Sequence, residues 1–530
     1  MKTKTEKISI IEICIVCIIG VLLLLIPGVF LGVFSSGLHL VDDHEILGYY
    51  YEYSKGISIS KLIRYVVLSD IGIRFRPLYM LVKALLIPIF GDNLLKYEVL
   101  KAIESVISFV FIYLCIRKLR PFCASRFISL IFDCIVFVGY QSCIWWKLGT
   151  HEIQGALFFS IGFFLLLLYL ETNKKKYIVG SLLLFELMIF VKENLFLLIP
   201  FIGLYIFYLD TLDEKLNILS IWKAIRRRII IYLILVLIII ESLYGCLFIT
   251  NPSAYKEGGY NILSGVFNIE AWRVSIHTDL KWYSRFGLLF ILILCTFYED
   301  TKKYWRELIL GIVLIAPQVL IFGKSGMTER YIYPASIGFA YLFVYVPISS
   351  GVLKQTRKKI YIIGLMLLCF AHFRVMLREA DYYRYRGNGV QATADFISNT
   401  VNQDNNVKVL SALEYFESNK TLEYYSIIHA EDNMYFYHSW NGESECVPYI
   451  DRRYDVYSST NLTNDENRYD VADMDVIVMY SNEDRHFTDT PDIDVSDYEY
   501  KRYGTLDIFV KKSSGIDFPD ANIKPLKINF

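Results

Sequence analysis

The sequence contains little charge and no excess of either sign. Only 20% of its 530 residues are charged, and 54 Lys and Arg balance 54 Asp and Glu. Soluble globular domains carry about 25% charged residues. A zero net charge gives no electrostatic argument for a polyanionic partner, so we expect no nucleic-acid binding.

Cysteine pairs at metal-ligand spacing are also missing. The chain has ten cysteines, most of them within apolar segments, where a thiol acts as a small hydrophobic group. The pattern therefore predicts neither a zinc centre nor a disulfide framework. No internal repeat is visible either, which weighs against transporters built from duplicated halves.

Apolar residues dominate instead, at 55% hydrophobic and 16% aromatic. Repeated apolar runs of about 20 residues match the length of a membrane-crossing helix, and they predict a polytopic membrane protein. The first run, at 8–34, follows three lysines, as in a signal peptide. Because the run is too long and has no small-residue cleavage site, we expect it to remain as the first span.

The predicted fold is an all-α polytopic membrane bundle of about eleven transmembrane helices, followed by a C-terminal extracytoplasmic α/β domain. The spans are expected near 8–34, 94–116, 126–144, 153–170, 177–191, 194–209, 229–249, 286–298, 307–322, 331–348 and 360–376. The apolar stretch 78–90 is too short and is expected to lie along the interface or to re-enter. We place the membrane domain at 1–376 and the second domain at 377–530, where runs at 407–410, 476–479 and 506–510 have strand length.

Basic clusters define the orientation. They recur in alternate loops, at 117–120, 174–176, 223–228, 302–303 and 354–359. The positive-inside rule places these loops and the N-terminus in the cytoplasm. An odd number of spans then places the C-terminal domain outside the cell.

Other ionisable residues near the membrane collect on the opposite face. They form an acidic motif after the first span, two arginines later in the same outer loop, and two further pairs at span ends: Asp42, Asp43, His44, Glu45, Arg74, Arg76, Lys192, Glu193, Arg330 and Tyr331. Charges that cluster on one face are typical of a site open to that side.

These residue types suit group transfer from a phosphorylated substrate. A carboxylate can accept the proton of an attacking hydroxyl, a role that fits Asp42 or Asp43. Cations stabilise the charge that builds on a leaving phosphate, and arginine grips phosphate oxygens in a bidentate fork. The cationic candidates are Arg74, Arg76, Lys192 and Arg330.

Each assignment has a structural alternative. Asp42 and Asp43 could cap a helix, and His44 could be an interfacial histidine. The two loop arginines could be headgroup anchors, and Lys192-Glu193 could be a self-compensating ion pair. His151-Glu152 starts a span, where a carboxylate favours the positive helix end, and we expect a structural role for it. The sequence points to no definite cofactor, and a divalent cation held by Asp42 and Asp43 with a phosphate stays open.

Four motifs, in this order, resemble those of the GT-C class of polytopic glycosyltransferases, which includes mannosyltransferases and aminoarabinose transferases. They are the acidic motif Asp42-Asp43-His44-Glu45, the segment Arg74-Phe75-Arg76-Pro77-Leu78-Tyr79, the pair Lys192-Glu193, and Arg330-Tyr331-Ile332-Tyr333-Pro334. The resemblance covers about residues 1–376. The motif here departs from the pattern because it is an acidic doublet followed by histidine, so the identity of the base stays open.

The resemblance implies a polyprenyl-phosphate-linked sugar donor and an extracytoplasmic acceptor, which could be a cell-wall polymer, a glycolipid or a protein. The alternative from another class is a transporter or flippase of lipid-linked saccharides. Transport predicts charged residues near the middle of several spans, with access from both sides. The one-sided cluster favours chemistry.

Overall fold

The computed structural model describes residues 8–526 except 41, 73, 122, 147–150, 251–266, 297–301, 350–352, 354, 404–406, 414–415, 430–434, 439–444, 449–468 and 483–493. Most of the described chain is helical. The helices are α1 Ile10–Phe30, α2 Asp43–Ser54, α3 Ile59–Ile71, α4 Pro77–Phe90, α5 Leu94–Lys118, α6 Arg126–Phe137, α7 Glu152–Thr172, α8 Lys175–Val191, α9 Ile199–Asp210, α10 Ile218–Arg227, α11 Ile229–Tyr244, α12 Ile269–His277, α13 Lys281–Thr296, α14 Trp305–Ile321, α15 Tyr333–Ala340, α16 Gln355–Gln403 and α17 Phe416–His429.

Within these described ranges, seven helical segments are long and apolar enough to cross a membrane. They are Ile10–Phe30, Leu94–Lys118, Glu152–Thr172, Glu193–Asp210, Ile229–Ile249, Glu329–Ile348 and Arg357–Thr400. Exposed isoleucine and leucine side chains, such as Ile230 and Leu237 on α11, cover their outer faces. The protein is therefore a multi-pass membrane protein with a helical bundle.

The predicted number of eleven spans is not confirmed. Each predicted segment coincides with a helix, but α6, α8, α13 and α14 have 12, 17, 16 and 17 residues. A straight crossing takes about 20 residues. The stretch at 78–90 forms the 14-residue helix α4, which is also too short for a straight crossing.

A buried ion cluster joins α1, α5 and α6 at one end of the bundle. The carboxylate of Glu12 accepts hydrogen bonds from the Tyr113 hydroxyl at 2.8 Å and from Arg117 Nε and Arg126 Nε at 2.9 Å each. Glu12 is 5% exposed. A carboxylate this deeply buried is stable only when it is paired, so the cluster fixes the first span against its neighbours.

The segment between the first two spans is itself helical and supports the acidic motif. Three helices, α2 to α4, follow the first span and pack around a core that includes Tyr49, Leu62 and Met80. Helix α2 starts at Asp43, and its first turn also contains Glu45. Carboxylates there are stabilised by the positive end of the helix dipole.

The C-terminal part contains a seven-stranded mixed sheet in the order β4-β3-β2-β1-β5-β7-β6. The strands are β1 Lys408–Ser411, β2 Tyr435–His438, β3 Glu445–Pro448, β4 Tyr469–Asp470, β5 Val476–Tyr480, β6 Tyr498–Tyr503 and β7 Leu506–Lys511. Strand β1 is parallel to β2 and β5, and the other pairs are antiparallel. The three predicted strand runs are confirmed as β1, β5 and β7.

Helix α16 connects the bundle to the sheet without a break. It has 49 residues, so it is about 73 Å long at 1.5 Å per residue. The predicted boundary between 376 and 377 lies inside this helix, and the division into two domains stays a prediction. The outer part of α16 packs on β6 and β7 through close backbone contacts.

The closest of these contacts is at Gly389, and it gives a test of the fold. A methyl group added there would lie 2.3 Å from the Tyr503 carbonyl oxygen and 2.8 Å from Gly504 Cα. Neither backbone atom can move away easily, so Gly389→Ala is expected to destabilise the sheet by about 1–3 kcal/mol or more. Thermal unfolding and limited proteolysis in detergent would measure this. Asn388→Ala, on the half-buried neighbour, should change little; equal effects of the two changes would contradict the packing.

Candidate active site

The two aspartates of the acidic motif have different environments. Asp43 is fully buried, and its Oδ2 accepts the backbone N–H of His39 at 2.6 Å. Asp42 precedes α2 with φ +56°, a left-handed conformation that is uncommon for residues other than glycine. Its side chain is 25% exposed. Asp43 therefore holds the loop together, and Asp42 is the aspartate that a substrate can reach.

Asp42 faces Arg330, which lies at the start of the span Glu329–Ile348. The distance from Asp42 Oδ2 to Arg330 Nη1 is 3.8 Å. Arg330 also lies over the Tyr331 ring at 5.2 Å and donates to its hydroxyl at 3.3 Å. Burial alone would raise the pKa of Asp42, but the charge of Arg330, followed by those of His44 and more distant cations, holds the pKa well below its usual range. The carboxylate is therefore ionised at neutral pH.

Arg76 is buried among acids and a histidine. Its Nε donates to both carboxylate oxygens of Asp70 at 2.9 Å, and its Nη2 donates to Asp70 Oδ1 at 2.6 Å. Nη1 lies 3.2 Å from the ring nitrogens of His151, and Nη2 lies 3.8 Å from Glu45 Oε1. Burial would lower the pKa of Arg76, but Asp70 raises it well above its usual value. Much of the guanidinium fork is thus occupied by Asp70.

Glu45 bridges Arg76 to Lys83. Lys83 Nζ donates to Glu45 Oε2 and lies over the Tyr79 ring at 4.9 Å. Burial would raise the pKa of Glu45, but Lys83 and then Arg76 lower it. The carboxylate is therefore held in its charged form between two cations.

Lys192 and His151 form the next part of the site, where His151 lies beside Arg76. Lys192 is fully buried, with Nζ 2.7 Å from His151 Nε2 and 3.3 Å from Glu152 Oε1. Lys192 Nζ also lies 5.9 Å from the centre of the Tyr331 ring. Burial, together with the charges of Lys192 and Arg76, lowers the pKa of His151 well below its usual value. A neutral imidazole can accept a hydrogen bond from the ammonium group.

These contacts link seven side chains into a network, here named the charge ring: Asp42, Arg330, Tyr331, Lys192, His151, Arg76 and Glu45. Its members come from the segment between the first two spans, from the starts of two later spans and from the end of α8. Residues far apart in sequence are thus brought together at one end of the bundle. Such a set of paired charges can hold an anion and accept a proton.

Four predicted residues lie beside the ring. Asp43 and His44 are buried in the first turn of α2. Arg74 is half-buried, and its charge is among those that lower the pKa of His151. Glu193 is 5% exposed, and within the described residues its carboxylate oxygens accept no hydrogen bond.

Three further polar residues belong to the site but were not among the predicted site residues: Asp70, Lys83 and His151. Lys83 stands alone in the apolar stretch of α4, and a lone charge in such a stretch is a signal for function. Asp70 carries no such signal, because it lies in the last turn of α3, a helix of mixed polar and apolar residues. His151 was assigned a structural role at a helix start, whereas its ring contacts two cations.

The site offers little to a metal ion. In the described part of the chain, no group of three or more histidine, cysteine, aspartate or glutamate residues could hold one. Asp42 and Glu45 each face a cationic side chain instead of a second carboxylate. The hypothesis of a divalent cation at Asp42 and Asp43 gains no support from this arrangement.

Comparison with known proteins gives only a distant likeness. No protein-family model and no curated protein match the sequence, and ten chains of solved structures match the fold. Two are structures of the Archaeoglobus fulgidus oligosaccharyltransferase. One is tethered to an acceptor peptide containing the NVT sequon via a disulfide bond; it is 12% identical, has a TM-score of 0.46, and the match covers 80% of this chain and 64% of that chain.

The second is a complex of the same enzyme with Zn and sulfate. It is 12% identical, has a TM-score of 0.36, and the match covers 78% of this chain and 61% of that chain. The chain therefore spans less than two thirds of the length of either neighbour. At this sequence identity and these TM-scores, the likeness supports no conclusion about activity.

Proposed function

We propose that this protein is a membrane glycosyltransferase of the GT-C class that transfers a sugar from a polyprenyl-phosphate donor to a hydroxyl group of an extracytoplasmic acceptor. One observation carries the proposal. A partly exposed carboxylate, Asp42, lies between the first span and α2 and faces Arg330 at 3.8 Å within the charge ring. The acid can accept a proton, and the arginine can bind a phosphate, at the boundary where a lipid-linked donor would present its sugar.

Asp42 is the proposed general base. Its pKa is lowered chiefly by Arg330, which makes it a weak base in the absence of donor. A bound donor phosphate attracts Arg330 and draws its charge away from Asp42. The pKa of Asp42 then rises when the donor is in place, so the base strengthens only when a reaction can follow.

The cations have different proposed roles. Arg330 binds the donor phosphate, because its side chain is 19% exposed and its partner is the base itself. Arg76 and Lys83 are each engaged by a carboxylate, so their proposed role is to fix the shape of the site. The acceptor oxygen attacks the anomeric carbon as the bond to phosphate oxygen breaks, Asp42 takes the hydroxyl proton, and polyprenyl phosphate leaves. Direct displacement inverts the anomeric configuration.

The basic loops are the basis for proposing which side of the membrane each part of the protein faces. We propose that the N-terminus is cytoplasmic and that the charge ring and the C-terminal sheet are extracytoplasmic. A donor with its tail in the bilayer then reaches the ring from the membrane, and the acceptor reaches it from outside.

The second candidate function, a flippase for lipid-linked saccharides, is favoured by a different observation. Glu98 and Lys101 are buried within the span Leu94–Lys118, and Asp133 on α6 is fully buried with no hydrogen bond to its carboxylate in the described residues. Ionisable groups inside spans often mark transport pathways.

One experiment separates the two. Purified protein in proteoliposomes is given a panel of radiolabelled polyprenyl-phosphate sugars and a mixture of hydroxyl acceptors. Release of polyprenyl phosphate, lost in Arg330→Met and kept in the exposed control Arg378→Met, is the expected result. Labelled lipid that crosses the bilayer without release would reject the transferase and support the flippase.

A further inference from the structure

The segment that presents Arg330 is held by a carboxylate that the proposed chemistry does not use. Asp279 lies between α12 and α13, and its Oδ2 accepts the backbone N–H of Glu329 at 2.8 Å. Glu329 is the residue directly before Arg330. Asp279 is therefore fixed to the chain one residue away from the proposed phosphate ligand.

Glu329 has a backbone conformation that needs such support. Its φ is +41°, and holding a residue other than glycine in this rarely populated region costs free energy. Its side chain is held as well, because the Tyr383 hydroxyl on α16 donates to Glu329 Oε1 at 3.3 Å. Two contacts from separate helical segments thus keep Glu329 in this conformation.

The preceding residues are shaped by the same part of the chain. Gly326 has φ +73° and packs so closely on α12 that an added methyl group would lie 2.3 Å from Ser275 Oγ. The backbone N–H of Asn268, at the start of α12, donates to the Gly323 carbonyl at 2.8 Å. The whole approach to Arg330, from 323 to 329, therefore takes its shape from α12 and Asp279.

We propose that Asp279 is a positioning residue that holds the guanidinium of Arg330 against Asp42 through its hydrogen bond to Glu329. The role of Arg330 in this proposal rests on the proposed function. The new element is that protonation of the Asp279 carboxylate controls that role. When the Asp279 carboxylate is ionised, it is a strong acceptor for the Glu329 N–H. When it is protonated, the bond weakens and the strained conformation loses one of its supports.

Burial, with a smaller contribution from acidic neighbours, sets the pH range of this effect. Burial raises the pKa of Asp279 to about 6; the charges of Glu329 and Glu379 add to the rise, and the hydrogen bond from Glu329 opposes it. The groups that act on it are Thr278 beside it, Glu329 on the segment it holds, Glu379 on α16, and Tyr140. Glu329 and Glu379 are in turn contacted by Tyr383 and Arg378. Because the ionised form is the one that holds Arg330, sugar transfer should rise as the pH increases through about 6.

The test compares Asp279→Asn and Asp279→Ala with Glu270→Gln, whose side chain on α12 is 70% exposed. At fixed pH, amide hydrogen exchange of the peptide 323–332 should speed up about tenfold or more in Asp279→Ala and stay unchanged in Glu270→Gln. Across pH 5 to 8, wild-type binding of polyprenyl phosphate in vesicles should weaken below about pH 6. The ligand's own phosphate titrates near pH 6 in every variant, so the comparison with wild type is the readout: Asp279→Asn, which keeps a neutral acceptor, should lose affinity less steeply below about pH 6.

The outcomes are separable. Unchanged exchange in Asp279→Ala would overturn the hold on Glu329. Faster exchange with an unaltered pH profile in Asp279→Asn would overturn the positioning of Arg330. If the wild type binds polyprenyl phosphate with the expected pH profile but transfers no sugar, the proposed reaction fails and the role of Asp279 stands.

Discussion

Asp42→Asn should reduce sugar transfer by about 10²–10⁴-fold, the usual contribution of a general base, with little effect on folding. The amide keeps the size of the side chain but cannot take the proton of the acceptor. The substitution also removes a negative charge beside Arg330, so binding of polyprenyl phosphate should be kept or strengthened. Release of labelled polyprenyl phosphate measures the rate, and a vesicle binding assay measures the affinity.

Asp43→Ala is the matched control, because it alters the neighbouring aspartate with the opposite expected result. Asp43 is fully buried and accepts the N–H of His39. Its loss leaves a buried donor unpaired, which costs about 1–3 kcal/mol. The thermal unfolding midpoint should fall, while the folded fraction keeps its rate of transfer. If Asp43→Asn abolishes transfer in a folded protein and Asp42→Asn does not, the base is Asp43.

Arg76→Met should destabilise the protein by about 3–5 kcal/mol, the usual effect of removing one partner from a buried ion pair. Arg76 and Asp70 are 7% and 6% exposed, and the methionine would leave the Asp70 carboxylate buried without its cation. Thermal unfolding in detergent measures the effect. The double variant Asp70→Leu, Arg76→Met removes both charges and should recover much of the lost stability.

Arg74→Met is the comparison for Arg76. It lies two residues away and is half-buried, so its loss should leave stability nearly unchanged. The opposite pattern is informative too. If Arg76→Met leaves the unfolding midpoint unchanged and lowers the affinity for polyprenyl phosphate, then Arg76 binds the phosphate directly and the Asp70 pair is not structural.

The sequence predicted the broad fold and most of the ring, for identifiable reasons. Apolar length reports spans directly, because every backbone group in lipid must be satisfied within a helix. The strand runs are short and β-branched, so they were also recognisable. Asp42, Glu45, Arg76, Lys192 and Arg330 were recognisable because a charge next to a long apolar run is expensive unless it has a use.

What the sequence could not predict depends on three-dimensional contacts. The role of Asp70 depends on the turn of the chain after α3, which places Arg76 against its carboxylate. In the sequence, His151 has the position of a helix start. Only the fold shows that Lys192, directly after α8, contacts its ring. The difference between Asp42 and Asp43 arises from a left-handed φ at Asp42. None of these contacts has a local pattern that a linear reading can detect.

The uninterrupted helix α16 makes the sheet and the charge ring mechanically dependent on each other. About 30 Å of its length suffices for the hydrocarbon core, so roughly 40 Å extends beyond it. A tilt of about 10° at the membrane would displace the far end by roughly 7 Å over that length. Gly389 locks the sheet to this rod, and Tyr383 on the same rod contacts Glu329. A force applied to the sheet therefore reaches the residue beside Arg330 through a single stiff element.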